Sequence, residues 1–154
     1  MNFRAVAIDS SFARGVRQSR RDAFGGEAEL WRAEDRYPCR HCLEEARKGS
    51  GVLLVSYRPL DRETPFAGRG PIFLCDEPCA PFSLSNVVPE IVATRRVNYR
   101  AYDSSGKMLY RHARLAEVGE AQLHIGEMLA DEEVAEVHAH TALHGCYLCR
   151  FIRA

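Results

Sequence analysis

Short runs in which apolar and polar positions alternate dominate this chain, and only one stretch repeats at helical spacing. Residues 3–8 (FRAVAI) are apolar and β-branched enough for a buried strand, and residues 52–57 (VLLVSY) form the most strand-like run. Residues 71–75 (PIFLC) predict another short buried strand, followed by the proline-bounded turn 76–81. Farther on, Val97, Tyr99 and Ala101 alternate with Arg96, Asn98 and Arg100, the pattern of a sheet with one wet face. That arm leads into Asp103-Ser104-Ser105-Gly106, whose residue types suit a hairpin turn, and residues 107–117 predict its return arm. Ala121, Ile125, Met128 and Leu129 recur at helical spacing and predict a helix over about 119–131, with Glu120 well placed near its positive end. Strands over 134–139 and 146–152 complete the pattern. Many strands and one main helix define an α+β fold on a largely antiparallel sheet, expected as a single domain over 1–154.

Between these elements the pattern is less decisive. Residues 10–26 read as a basic loop carrying Arg14, Arg17, Arg20 and Arg21, either an arm that meets an anion or partner or a solvated excursion. Residues 27–32 fit a strand or a helical turn. Residues 59–70, rich in proline, glycine and charge, read as a long exposed loop and a candidate lid.

Composition narrows the classes of function. With 154 residues, 46% of them hydrophobic and 27% charged, the chain resembles an average globular domain. A formal net charge of zero removes the electrostatic case for tracking a phosphate backbone, so no nucleic acid partner is expected. Arginines supply 19 of the 21 basic residues. That skew fits bidentate recognition of an anion, and it fits a codon bias of the source genome. Neither a signal-peptide pattern after Met1 nor an apolar run approaching the roughly 20 residues of a membrane span is present, so a cytoplasmic protein is expected. Cysteines in that reducing compartment are thiols or metal ligands before they are disulfides.

Candidate chemistry concentrates near the end of the chain, where residues 137–151 hold three of six histidines and two of six cysteines. The twin pairs Cys39-x-x-Cys42 and Cys146-x-x-Cys149 have the sulfur count and spacing of a four-thiolate zinc site; the same residues also fit packed reduced thiols or a redox pair. Strand geometry opposes the second pair, because residues three apart on a strand face opposite sides unless a bulge intervenes. Neither pair is accompanied by the glycine that commonly turns a metal knuckle. Cys75 and Cys79 have acceptable spacing but no other support, and read as structural. His138 and His140 share one strand face with Glu136, which fits an open divalent metal site or simply a wet face.

The segments YPCRHCL (37–43), VLLVSYRPL (52–60), TPFAGRGPIFL (64–74), RAYDSSGKMLY (100–110) and VHAHTALHGCYLCRF (137–151) together resemble a bacterial domain-of-unknown-function family, DUF1203. The resemblance implies a compact cytoplasmic domain and carries no established activity. Two expectations follow from the residues. One is a binding module, with or without a structural zinc, whose pocket is lined by Arg40, His138 and His140 and takes a small anionic molecule or a protein partner. The other is a metal-dependent enzyme of hydrolase or oxygenase type using His138 and His140 near Cys146.

Overall fold

The computed structural model describes residues 2–154, and within them the elements run β1 (Phe3–Val6), α1 (Ser10–Ser19), β2 (Glu29–Arg32), β3 (Gly51–Tyr57), β4 (Gly70–Cys75), α2 (Glu90–Ala93), β5 (Val97–Tyr102), β6 (Arg114–Ala116), α3 (Ala121–Ala130), β7 (Glu136–Thr141) and β8 (Tyr147–Arg153). Two antiparallel sheets result, a five-stranded one in the order β1-β8-β7-β5-β6 and a three-stranded one in the order β2-β3-β4. This is the α+β fold that the strand-rich pattern predicts.

Side-chain alternation divides the larger sheet cleanly. Val97, Tyr99, Ala101, Val137, Ala139, Cys149 and Phe151 join Ile125, Met128 and Leu129 of α3 and Ile91 and Val92 of α2 in one core. The opposite face carries a cross-strand row of Arg100, His138 and Arg150. That face is not wet, as the alternation suggested, for His138 is 1% and His140 6% exposed. The smaller sheet covers it with a second core formed by Leu53, Val55, Ile72 and Leu74 together with Ile8, Ala13 and Val16.

The hairpin turn forms as its residue types require: the Asp103 carboxylate accepts from the Ser105 and Lys107 amides while Gly106 takes the left-handed φ of 82°. Its return arm is shorter than expected. A 3₁₀ turn at Tyr110–His112 interrupts it, and only β6 pairs with β5 again.

Residues 10–19 are helical, where a basic loop was expected. Asp9 caps α1 by accepting from the Ser11 and Phe12 amides, and Arg20 closes it in the left-handed region at φ 56°. Ala13 and Val16 bury the inner face, which leaves the arginines on the others. The loop 59–70 forms a wall and is less exposed than its composition suggests, since Leu60 is buried, Arg62 pairs with Glu136 and the Thr64 hydroxyl donates to the Gly106 carbonyl.

Candidate metal centre

Residues 37–46 form a tight loop that carries the first cysteine pair. The Cys39 amide donates to the Glu44 carbonyl at 3.0 Å, the Leu43 amide to the Cys39 carbonyl at 3.0 Å, and the Ala46 amide to the Tyr37 carbonyl at 2.9 Å. Leu43 fills the position a glycine commonly takes, with φ at 58°. A left-handed leucine costs roughly 1–2 kcal/mol. Its side chain is 0% exposed in the main core, and burying a leucine contributes about 1.5–3 kcal/mol, so packing offsets the strain.

The hairpin of β3 and β4 brings the second pair to that loop. Cys39 bridges to Phe73 on β4, which sets Cys75, two residues on, against the Cys39 sulfur; the Cys75 amide donates to it at 3.2 Å. Cys79 returns from the following turn to place its sulfur 3.9 Å from that of Cys39. Cys39, Cys42, Cys75 and Cys79 hold their four sulfurs within 4.8 Å of one another. Zn–S bonds of about 2.3 Å at tetrahedral angles place neighbouring sulfurs roughly 3.8 Å apart, so this quartet can hold one metal ion. Among the described residues it is the one gathering of three or more such ligands.

Outer donors favour negative charge on the Cys79 sulfur. His41 Nδ1 lies 3.2 Å from the Cys79 sulfur, and His41 Nε2 lies 2.8 Å from the Ser10 hydroxyl. A donor on Nδ1 and an acceptor on Nε2 satisfy both contacts. Arg17 of α1 donates from Nη2 to the same sulfur at 3.2 Å and from Nε to the Cys75 carbonyl at 2.9 Å. Shared S–H hydrogen bonds within the quartet split its acidities. Bonding from Cys42 lowers the Cys39 thiol to about 6 and bonding from Cys39 lowers Cys79, while the Cys42 and Cys75 thiols are raised by the same network. These outer donors are the kind that orient and stabilise metal thiolates. Arg17, His41 and Ser10 had no motif to announce them, although the Asp9 cap would have revealed the helix that presents Arg17.

Cys146 and Cys149 do not join the quartet, which corrects the pairing expected from the twin motifs. A bulge between β7 and β8 is present at this point, where Ala139 faces Cys149 and His140 faces Tyr147. It does not turn both sulfurs to one side. Cys149 is 0% exposed in the core beneath the larger sheet, whereas Cys146 lies in the preceding turn and lines cavities.

Arg40, His138 and His140 likewise fail to share one pocket. Arg40 lines a cavity of about 620 Å³, and the two histidines line another of about 250 Å³ walled by the 59–70 loop; His144 and Cys146 border both. His140 donates from Nδ1 to the Gly145 carbonyl at 3.0 Å, where Gly145 turns at φ 72°, so its bare Nε2 is a lone-pair acceptor without a protein donor. His138 Nε2 lies 3.6 Å from a Glu136 carboxylate already held by Arg150 at 2.7 Å and Arg62 at 3.2 Å. That commitment leaves the pair without a third free ligand. Burial pushes His138 down and His140 down to about 3, and both rings are neutral at neutral pH. Burial opposes ionisation of Glu136, yet His138 and Arg150 outweigh it and hold its carboxyl at about 2.

These shifts carry a sign for acid stability. The unfolded chain binds a proton at His140 below about 6.5 that the folded chain refuses until about 3, so folding stability falls as pH drops through that window. Glu136 adds a second loss as pH falls from about 4.5 to about 2. Unfolding free energies from urea titrations between pH 7 and 5 are therefore expected to decline less steeply in His140→Asn, by about 1 kcal/mol per pH unit on average. Equal slopes in the two proteins would contradict a buried neutral His140.

Among the described residues, two small antiparallel sheets, three helices and a cysteine quartet make an α+β domain with a candidate metal centre. The chain belongs to the protein family of unknown function DUF1203, whose family model matches residues 36–153. The match takes in all four cysteines, while Ser10 and Arg17 precede it. No curated protein and no solved structure matches the chain. No helix among the described residues is long and apolar enough to cross a membrane.

Proposed function

We propose that this protein is a small-ligand-binding module whose binding surface is organised by one structural zinc ion held by Cys39, Cys42, Cys75 and Cys79. The single observation that carries the reading is the convergence of four sulfurs at single-ion spacing, with Arg17 and His41 against Cys79. Four thiolates fill a tetrahedral zinc and leave no position for substrate, which favours a structural role over catalysis. The ion would tie the 39–42 loop, the end of β4 and the turn to Cys79 into one unit, and α1 would be fastened to it through Arg17. Such a site needs reduced thiols, in keeping with a reducing cytoplasm.

Protein purified without chelator or histidine tag is expected to contain about one zinc per chain by elemental mass spectrometry. A coloured protein carrying one iron in its place would refute zinc while retaining the thiolate quartet, and absence of metal would refute the reading. Thiol counting gives a second check. In the metal-loaded native protein only Cys146 is expected to react quickly with a maleimide, because Cys149 is 0% exposed and the other four are ligands. Six are expected after denaturation with chelator. Fast native reaction at Cys75 and Cys79 would contradict the assignment.

A further inference from the structure

Resting on the zinc-loop reading, we infer that the cavity in front of Arg40 binds a small organic oxyanion, a carboxylate or phosphate head on an apolar body, with Arg40 as its anchor. Arg40 occupies the second position of the Cys39–Cys42 loop. Its amide donates to the Phe73 carbonyl and its carbonyl accepts from the Ile8 amide, each at 3.0 Å, so the main chain beneath the side chain is pinned from two sides. The side chain is equally constrained, with Nε donating to the Tyr147 carbonyl and Nη1 to the Pro38 carbonyl, both at 2.6 Å. Those carbonyls orient the guanidinium without cancelling its charge.

Arg40 is 2% exposed, yet among the described residues no carboxylate forms an ion pair with it and its Nη2 has no protein acceptor. A guanidinium that deep requires a counter-charge. The neighbouring acids are committed elsewhere, Glu45 to Arg95 and Glu117 to Arg96 at 2.6 Å. Asp35, the carboxylate on the cavity wall, is exposed and unpaired with Arg40. Arg40 thus faces a cavity of about 620 Å³, within the range of small-molecule sites, with its charge unpaired, and exposed Arg36 on the rim, which donates to Thr94 and forms no ion pair among the described residues, adds to the positive potential. Oxyanions that present two oxygens side by side, carboxylate or phosphate, match the fork that remains.

The rest of the wall sets the body of the ligand. Tyr37 and Phe73 stack at 4.8 Å, and Leu115 and Leu143 stand on the same cavity. Such a wall favours an anion that brings an apolar or aromatic portion over a bare mineral ion. The competing role for Arg40 is to neutralise the thiolate quartet from within its own loop. Arg17, and not Arg40, donates to a quartet sulfur, which favours the cavity role.

Two built-in reporters make the proposal testable. Trp31, the chain's one tryptophan, lies 6.4 Å from the Tyr37 ring and 5.8 Å from that of Phe73, and the Cys146 thiol lines the same cavity. The zinc-loaded full chain would be titrated with phenyl phosphate and benzoate, with inorganic phosphate as a head-only arm and phenol as an uncharged arm, following Trp31 emission and the alkylation rate of Cys146. Saturable emission changes with at least one organic anion are expected, with weaker binding of inorganic phosphate, no response to phenol, and roughly tenfold slower alkylation at about ten times Kd. Arg40→Lys and Arg40→Gln are expected to retain zinc and lose roughly 10- to 100-fold in affinity. Should Arg40→Gln fail to fold, the lysine variant and the wild-type protection of Cys146 decide the question. Absence of saturation in zinc-loaded protein, equal binding of phenol, unchanged affinity in Arg40→Lys, or loss of zinc in that variant would each overturn the proposal. Zinc measured on the same samples separates the two claims: metal-free protein refutes the zinc reading, whereas metal-loaded protein that ignores both anions refutes only this one.

Discussion

Changing Cys75 or Cys79 to serine is expected to release the zinc and leave most of the chain unfolded, while Cys146→Ser keeps both metal and fold. The contrast follows from where the sulfurs sit. Cys75 and Cys79 complete the quartet with Cys39 and Cys42, and Cys146 lies in a turn at the cavities. Binding of a structural zinc contributes about 10–16 kcal/mol, whereas a domain's entire stability is about 5–15 kcal/mol, so losing one ligand of four removes most of the margin. Cys149→Ala is the internal control. It leaves a small void in the main core and is expected to cost about 1–2 kcal/mol with zinc retained. Zinc content by elemental mass spectrometry and thermal melts by circular dichroism read both quantities. Zinc retained in Cys75→Ser and lost in Cys146→Ser would reverse the assignment.

Phe151→Ala is expected to cost about 3–5 kcal/mol, the largest loss among substitutions remote from the metal. Phe151 is 0% exposed on β8, between β1 and β7, and meets Phe3 edge-on at 5.8 Å and Tyr99 at 6.5 Å. Removing the ring strips three strands of a shared contact, and neither neighbour can fill the void without leaving its own packing. The urea midpoint should fall accordingly, with zinc per folded chain unchanged. A cost below 1 kcal/mol would mean that the core of the larger sheet is arranged differently.

Local periodicity carried much of the fold. The alternation of Val97, Tyr99 and Ala101 places β5's buried face correctly, and the spacing of Ala121, Ile125, Met128 and Leu129 locates α3 to within a residue or two of its ends. Helix α1 was hidden because Gly15 and its polar surface dilute a stripe of only Phe12, Ala13 and Val16. Its cap, Asp9 before two serines, was the signal that could have found it.

The candidate metal centre was half legible. Spacing identified Cys39 and Cys42, but their partners depend on which strand end the β3–β4 hairpin returns to the loop, a long-range fact with no local signature. Motif symmetry therefore favoured Cys146 and Cys149, which strand alternation separates. The missing glycine was a misleading objection, for Leu43 adopts the same left-handed turn and its burial compensates. Arg40, His138 and His140 illustrate the same limit. Each lies against a cavity, but only the three-dimensional position of the turn bearing His144 and Cys146 reveals that the cavities are two.

X-ray absorption at the zinc edge of the purified, untagged protein tests the central claim most directly. Four sulfur scatterers at about 2.3 Å, with no nitrogen or oxygen in the inner coordination sphere, are expected if Cys39, Cys42, Cys75 and Cys79 hold the ion. A shell containing imidazole nitrogen at about 2.0 Å would contradict the account and move the metal to the histidines.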